Sequence, residues 1–402
     1  MKIYEFDYKL PEHLIALKGK EPRDLSKLLI VIRKLKDFIY KKYAPLNSLY
    51  LKEKKVKIVF SKYNIKDISF FKLLKNPSLW EYPGIIIDKF LNLPFYLARE
   101  DLIVLNNTKV IPARFKIPEK ENWEIFLVSE EEKPYIKNDK VFAKWQIIGK
   151  PGKKLKPGKT FVISEDIKIH ILSYLEEGKR LALIEIKTSE KNPFFAFINA
   201  LFKYAQIPLP PYIKRSLTYE DYQRYQTIYA KEYGSVAAPT AGLHFTKRVF
   251  KALDLKNIKK AFITLHVGLG TFRPIKVEDI EKHKMDYERY KIYPETYELI
   301  KETKKKEKAV VAVGTTVTRC LESAFDENLN IKSFEGKTNL FIYPGYKFKV
   351  VDHLITNFHL PRSSLILLVS AFAGTDLTLT AYKIAMENKF KFYSYGDAML
   401  II

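Results

Sequence analysis

Residues 123–186 hold five short runs: WEIFLVS (123–129), KWQIIGK (144–150), TFVIS (160–164), IKIHILSYL (167–175) and RLALIEI (180–186). Most of them mix apolar and polar residues at close to a two-residue period, and Pro, Gly and charged turns separate them at hairpin-like spacing. That is the pattern of antiparallel strands with one face buried. Segment 111–188 is therefore expected to form a small antiparallel β-barrel.

On either side the period changes. DLIVLNNTKVIPAR at 101–114 reads as a strand followed by an Asn-Asn turn, which places a boundary there. Beyond residue 188, helix and strand signals alternate. Strands are expected at Ala261–Val267, Ala309–Val313, Asn339–Tyr343 and Lys391–Tyr393. Thr218-x-x-Asp221 opens a helix with a capping pattern, and Thr246 can cap the helix after it. Such alternation indicates an α/β layer domain. The expected fold class is α/β: a layered, discontinuous α/β domain (1–110 and 189–402) with an inserted small antiparallel β-barrel domain (111–188).

At 402 residues and 47% hydrophobic content, the chain has ample core for two or three domains. Met1–Leu17 lacks the apolar stretch of a secretory signal, and the longest apolar run, Ser363–Gly374, is too short to span a bilayer. One cysteine, Cys320, excludes an internal disulfide. A cytoplasmic location without membrane association is expected. The formal net charge is +24, unevenly spread: residues 33–75 carry thirteen Lys or Arg against three Asp or Glu. Composition alone leaves nucleic-acid binding and a solvated lysine-rich surface equally open.

Against this charged background, Ser235–Thr246 and Ala261–Phe272 contain no charged residue, and each holds one histidine, His244 and His266, beside glycines and threonines. Glycine lets backbone approach a ligand, and histidine gives and takes protons near neutrality. These blocks read as pocket lining. His266 falls near a strand end and runs into Gly268 and Gly270, at the edge where α/β sheets bind ligands. Gly314-Thr315-Thr316 follows strand VVAV and opens a helix bearing Arg319, so its free N–H groups suit a carboxylate or phosphate. For any single histidine the alternative is a core residue hydrogen-bonded to backbone.

Two look-alike motifs are set aside. GKKLKPGKT (152–160) has one residue too many for a phosphate loop, and Gly268-Leu-Gly270-Thr-Phe-Arg273 has arginine where a dinucleotide loop needs its third glycine. The seven histidines form no i, i+4 pair, so no metal site is expected. The tyrosines at 219, 222, 225 and 229 read as a packing face. PLPPYIKR (208–215) is a rigid arm ending in two cations, or else a surface linker.

The chain resembles the S-adenosylmethionine:tRNA ribosyltransferase-isomerase family of queuosine biosynthesis. The resemblance rests on LPEHLIA (10–16), EPRDLSKLL (21–29), DLIVLNNTKVIPAR (101–114), IPLPPYIKR (207–215), YQTIYAKEYGSVAAPTAGLHFT (225–246) and TLHVGLGTFRPIKVEDIEKHKM (264–285). It continues through AVGTTVTRCLES (312–323), LFIYPGYKF (340–348), LITNFHLPRSSLILLVSAFAG (354–374) and FYSYGDAMLI (392–401). Nearly the whole chain takes part except 33–80.

The resemblance implies an enzyme that transfers and isomerises the ribosyl group of S-adenosylmethionine onto the 7-aminomethyl group of a 7-deazaguanine at the tRNA wobble position. The products are epoxyqueuosine-tRNA, adenine and methionine. Partners are then this tRNA and S-adenosylmethionine, with no cofactor beyond that co-substrate, and a monomer is expected. The chemistry needs a neutral amine, a protonated leaving adenine and a base for the carbon beside the sulfonium. His244, His266, His283 and Glu288 are the expected catalytic residues. Gly268, Gly270, Arg273, Thr315 and Thr316 are expected to bind the donor, with Arg273 and the Thr315/Thr316 loop on its carboxylate. Arg114, Lys214 and Arg215 are expected on tRNA phosphates.

Two departures stand out. After His283-Lys284-Met285 the family pattern has a second histidine, whereas this chain has Asp286. The carboxylate is expected to substitute with modest effect, because His283 and Glu288 remain. Segment 33–80 is longer than usual and rich in Lys, Tyr and Phe, which suits either an extended tRNA footprint or an amphipathic cover for the α/β domain. The rival class is a catalytically altered tRNA-binding homologue. A third reading, an RNA methyltransferase using the same donor, lacks its glycine motif.

Overall fold

The computed structural model describes residues 1–42, 54–61, 64–118, 120–268, 274–275 and 277–402. In chain order its strands are β1 (Lys27–Ile32), β2 (Lys55–Ser61), β3 (Asn64–Ser69), β4 (Gly84–Lys89), β5 (Leu102–Asn106), β6 (Thr108–Val110) and β7 (Arg114–Lys116). There follow β8 (Glu124–Lys137), β9 (Lys140–Lys150), β10 (Thr160–Val162), β11 (Ile167–Tyr174), β12 (Arg180–Lys187) and β13 (Glu232–Ser235). The last are β14 (Lys259–Leu265), β15 (Glu288–Ile292), β16 (Val310–Val313), β17 (Glu335–Thr338), β18 (His353–Asn357) and β19 (Ala398–Ile401).

Eleven of these form one mixed sheet in the order β17-β15-β14-β5-β16-β18-β19-β1-β4-β2-β3. Its middle strands are buried without interruption, as in LIVLN of β5, VVAV of β16 and AMLI of β19. Both faces are covered, so alternate residues feed two different cores. Leu29, Val31, Val104 and Ala312 join one; Leu28, Ile30, Ile103 and Val311 join the other. Continuous apolar runs of this kind mark strands buried on both sides.

Strands β7 to β12 form a separate antiparallel sheet in the order β10-β11-β12-β9-β8-β7. The barrel expected for this segment is thus an open six-stranded sheet among the described residues, with β10 and β7 at its edges. One face buries Ile125, Leu127, Ala143, Ile169 and Ile184. The helix Pro193–Tyr204, capped by the Asn192 side chain, covers that face. Trp145 stacks on Phe197 with ring centroids 5.7 Å apart.

The helix caps follow the sequence: Thr218 and Asp221 make a capping box, and the Thr246 hydroxyl accepts from the Val249 amide. Two expected strands do not form. Asn339–Tyr343 is irregular, and around residues 391–393 only Phe392 makes an isolated bridge, to Ile15. The sheet uses β17, β18 and β19 instead. In the basic segment, β2 and β3 form a hairpin that extends the large sheet past β4. Val56, Ile58, Phe70 and Leu73 bury their side chains there, so part of this segment is core. It sits at the opposite end of the strand order from β14 and β15.

Candidate active site

A cavity of about 1330 Å³ opens where the two sheets meet. Val128, Glu130, Trp145 and Lys179 line it from the six-stranded sheet, and Phe194 and Phe197 from the helix upon it. His266, Gly268, His283, Asp286, Glu288 and Arg289 line it from the large sheet. Of the expected catalytic residues, His266, His283 and Glu288 converge here, together with Gly268.

Local structure delivers His266 to this place. The Asn106 side chain continues the β5–β14 ladder, donating to Leu265 O at 2.9 Å and accepting from Leu265 N at 3.0 Å. Strand β14 therefore ends at Leu265, and His266 turns toward the six-stranded sheet. Its Nδ1 lies 2.8 Å from Thr108 Oγ1, and Gly234 packs against the ring. A Cβ built on Gly234, whose φ is +146°, would come within 2.8 Å of His266 Cε1. Burial, with a smaller contribution from Arg289, pushes this imidazole down to about 4. It is neutral at pH 7.

His283 follows a short turn and packs edge-on to Phe341, ring centroids 5.1 Å apart. Burial lowers its pKa, while Glu177 and Asp286 pull it back. Asp286 is ion-paired with Lys179, whose side chain is only 11% exposed. Across the cavity Glu130 meets Arg289 at 2.7 Å, and burial raises the Glu130 carboxyl despite that cation and Lys133.

Glu288 is buried. One carboxylate oxygen accepts from Arg319 Nη1 at 2.5 Å and the other from the Gly268 amide at 3.1 Å. Arg319 also donates to Leu340 O at 2.9 Å. This network pins the start of the glycine loop to the helix Thr315–Ala324. Gly270 and Arg273 lie outside the described residues.

The remaining expected residues lie elsewhere. His244 is a core histidine: Nδ1 is 2.8 Å from Ser26 Oγ, Nε2 is 3.2 Å from Asn357 Nδ2, and Phe90 stacks on the ring. Burial, then Arg224 and Arg23, pushes it down to about 3. Both of its ring nitrogens thus meet side chains and not backbone, away from the large cavity. Thr315 and Thr316 line a second, smaller cavity of about 50 Å³. Arg114 pairs with Glu124 beside the sheet. Arg215 is held bidentately by Asp221, with both contacts at 2.7 Å, whereas Lys214 is 76% exposed.

Sequence reasoning missed Thr108, Gly234, Glu130, Arg289 and Lys179. A glycine within β13 and an acidic triplet within β8 were the available signals. Among the described residues no group of three His, Cys, Asp or Glu side chains could hold a metal. No single described helix is long and apolar enough to cross a membrane.

A family model described as "Queuosine biosynthesis protein" matches residues 81–401. The S-adenosylmethionine:tRNA ribosyltransferase-isomerase of Halothermothrix orenii is 41% identical over 406 residues, covering 100% of both chains. The protein of the same name from Aquifex aeolicus is 44% identical over 404 residues, again with 100% coverage of both. The solved S-adenosylmethionine tRNA ribosyltransferase of Thermotoga maritima is 30% identical with a TM-score of 0.48, covering 99% of this chain and 100% of that one. The family and full-length sequence matches place this chain in the queuosine biosynthesis protein family.

Proposed function

We propose that this chain transfers and isomerises the ribosyl group of S-adenosylmethionine onto tRNA, releasing adenine and methionine. The observation that carries this reading is the meeting of His266, His283 and Gly268 in one large cavity between two sheets. The acceptor is the aminomethyl group of a 7-deazaguanine at the wobble position. In this reading the six-stranded unit, 111–188, is an insertion in an α/β catalytic domain made of 1–110 and 189–402. The enzyme works in the cytoplasm as a monomer.

The roles follow from the site. The Thr108 hydroxyl donates to Glu232 O at 3.4 Å and so accepts from His266 Nδ1–H. That leaves Nε2 with a free lone pair, and a neutral imidazole can take a proton from the attacking amine or from the carbon beside the sulfonium. His283, whose lowered pKa is pulled back by Glu177 and Asp286, is the group that donates to the departing adenine. Glu288 is a positioning residue, since Arg319 and the Gly268 amide occupy its oxygens. Lys214, in an exposed 3.3 Å pair with Glu12, is the cation for an RNA phosphate; Arg114 and Arg215 are each committed to a more buried carboxylate.

The test uses donor labelled separately in ribose and in methyl, with tRNA carrying the aminomethyl base. Ribose label in the tRNA, with adenine and methionine released, is expected. Methyl label in the tRNA would mean methyl transfer, and tight binding without transfer would mean a binding homologue.

A further inference from the structure

The smaller cavity, about 50 Å³, lies beside the large one, and Val267 lines both. Its walls come from Pro239–Ala241, Gly314–Thr316 and Thr356–Leu360, with Tyr212 and Tyr393. Among the described residues no Asp, Glu, Lys or Arg lines it. The helix Thr315–Ala324 begins here without a side-chain cap, after Gly314 at φ +96°. The amides of its first turn have no partners within the helix, and its positive dipole end faces this space.

Thr316 supplies an independent observation. Its residue is only 6% exposed, and its Oγ1 is buried with no hydrogen-bond partner. A buried hydroxyl left unpaired is costly and calls for an explanation. A Cβ built on Gly314 would lie 3.6 Å from this oxygen, so the hydroxyl stands in front of the helix start. Amides and hydroxyl converge on one small space that favours negative charge.

We infer that this chamber takes the carboxylate of the donor's amino-acid end, with Thr316 Oγ1 donating to it beside the first amides of the helix. The inference rests on the proposed ribosyl transfer. Val267 lines both spaces, so the amino-acid end is gripped beside the cavity where the ribosyl carbon reacts. A phosphodiester would bring two sugars with it, which a space this small does not hold.

The test is steady-state turnover on the tRNA substrate, with S-adenosylmethionine as donor and its decarboxylated analogue as alternative donor or competitor. Thr316→Val keeps the shape and removes the hydroxyl. It should lower kcat/KM for S-adenosylmethionine about tenfold, the scale of one hydrogen bond to a charged group, with the loss mainly in KM. Thr316→Ser should restore most of it. The wild type should prefer S-adenosylmethionine over the analogue, and Thr316→Val should erase most of that preference. Equal losses for both donors, or no loss for either, would overturn the inference while leaving ribosyl transfer intact. Wild-type protein that transfers no ribosyl group would overturn the functional reading and this one with it.

Discussion

Lys179, at the start of β12, is ion-paired with Asp286, just ahead of β15, so one contact ties the two sheets together at the cavity. Asp286 stands where the resemblance led to the expectation of a histidine, and here its carboxylate is a clasp. Asp286→Asn should destabilise the protein by about 1–2 kcal/mol, because it leaves the mostly buried Lys179 ammonium with only its 3.5 Å contact to Glu177. It should also lower the His283 pKa further by removing a charge that raises it. Histidine NMR titration reads this directly, and an upward shift would refute it. Asp286→His breaks the same clasp, so faster turnover is not expected.

Gly234 touches the face of His266. In Gly234→Ala the new methyl group would meet the ring, and the positive φ would add backbone strain. Turnover should fall by about 10²-fold, the scale of a small displacement of a catalytic group. Circular dichroism should still show a folded chain. An active, unperturbed variant would remove His266 from the chemistry.

Glu288→Gln should cost about 3–5 kcal/mol, because it leaves the buried Arg319 guanidinium without its counter-charge. The double variant Glu288→Leu/Arg319→Met should recover part of that stability but little activity, since the Gly268 amide then has no side-chain acceptor. Urea denaturation and turnover together test this. Recovered activity in the double variant would show that the anchor is dispensable.

Three histidines are held neutral by desolvation: His244 and His359 are pushed down to about 3, and the half-buried His266 to about 4. Their unfolded value is near 6.5. The folded pKa is depressed, so each contributes stability that is full above pH about 6.5 and lost as pH falls toward 4. The slope is up to about 1.4 kcal/mol per pH unit for each group. His244→Gln should be less stable than wild type at pH 7.5 yet lose less between pH 7.5 and 5. Parallel losses would contradict this account.

Lys214 and Arg215 are adjacent but should behave differently. Lys214→Ala should weaken tRNA binding and reduce the salt dependence by about one phosphate contact. Arg215→Ala should chiefly destabilise the fold, by about 2–4 kcal/mol, by stranding buried Asp221. Binding isotherms at several salt concentrations, paired with thermal melts, separate the two.

The six-stranded sheet was legible because one of its faces meets solvent, which preserves alternation. LLIVI of β1 and AMLI of β19 are buried on both faces, so the period that signals a strand is lost. LFIY at 340–343 is apolar enough for a strand, but it packs on the core as irregular chain before Pro344 and the positive-φ Gly345. At the site, the Gly-His blocks pointed to His266 and Gly268. Thr108, the partner of His266, lies 158 residues earlier and becomes a neighbour through the parallel β5–β14 pairing. No local pattern carries such a meeting.

Strand β19 lies in the interior of the large sheet, parallel to β1 and antiparallel to β18. Residues 28–31 thus find a central neighbour at a very distant point of the sequence, and the two halves of the large sheet meet only through this strand. Loop closure over so long a separation is a slow step, and loss of β19 would leave β1 and β18 with apolar edges open to pairing with other chains.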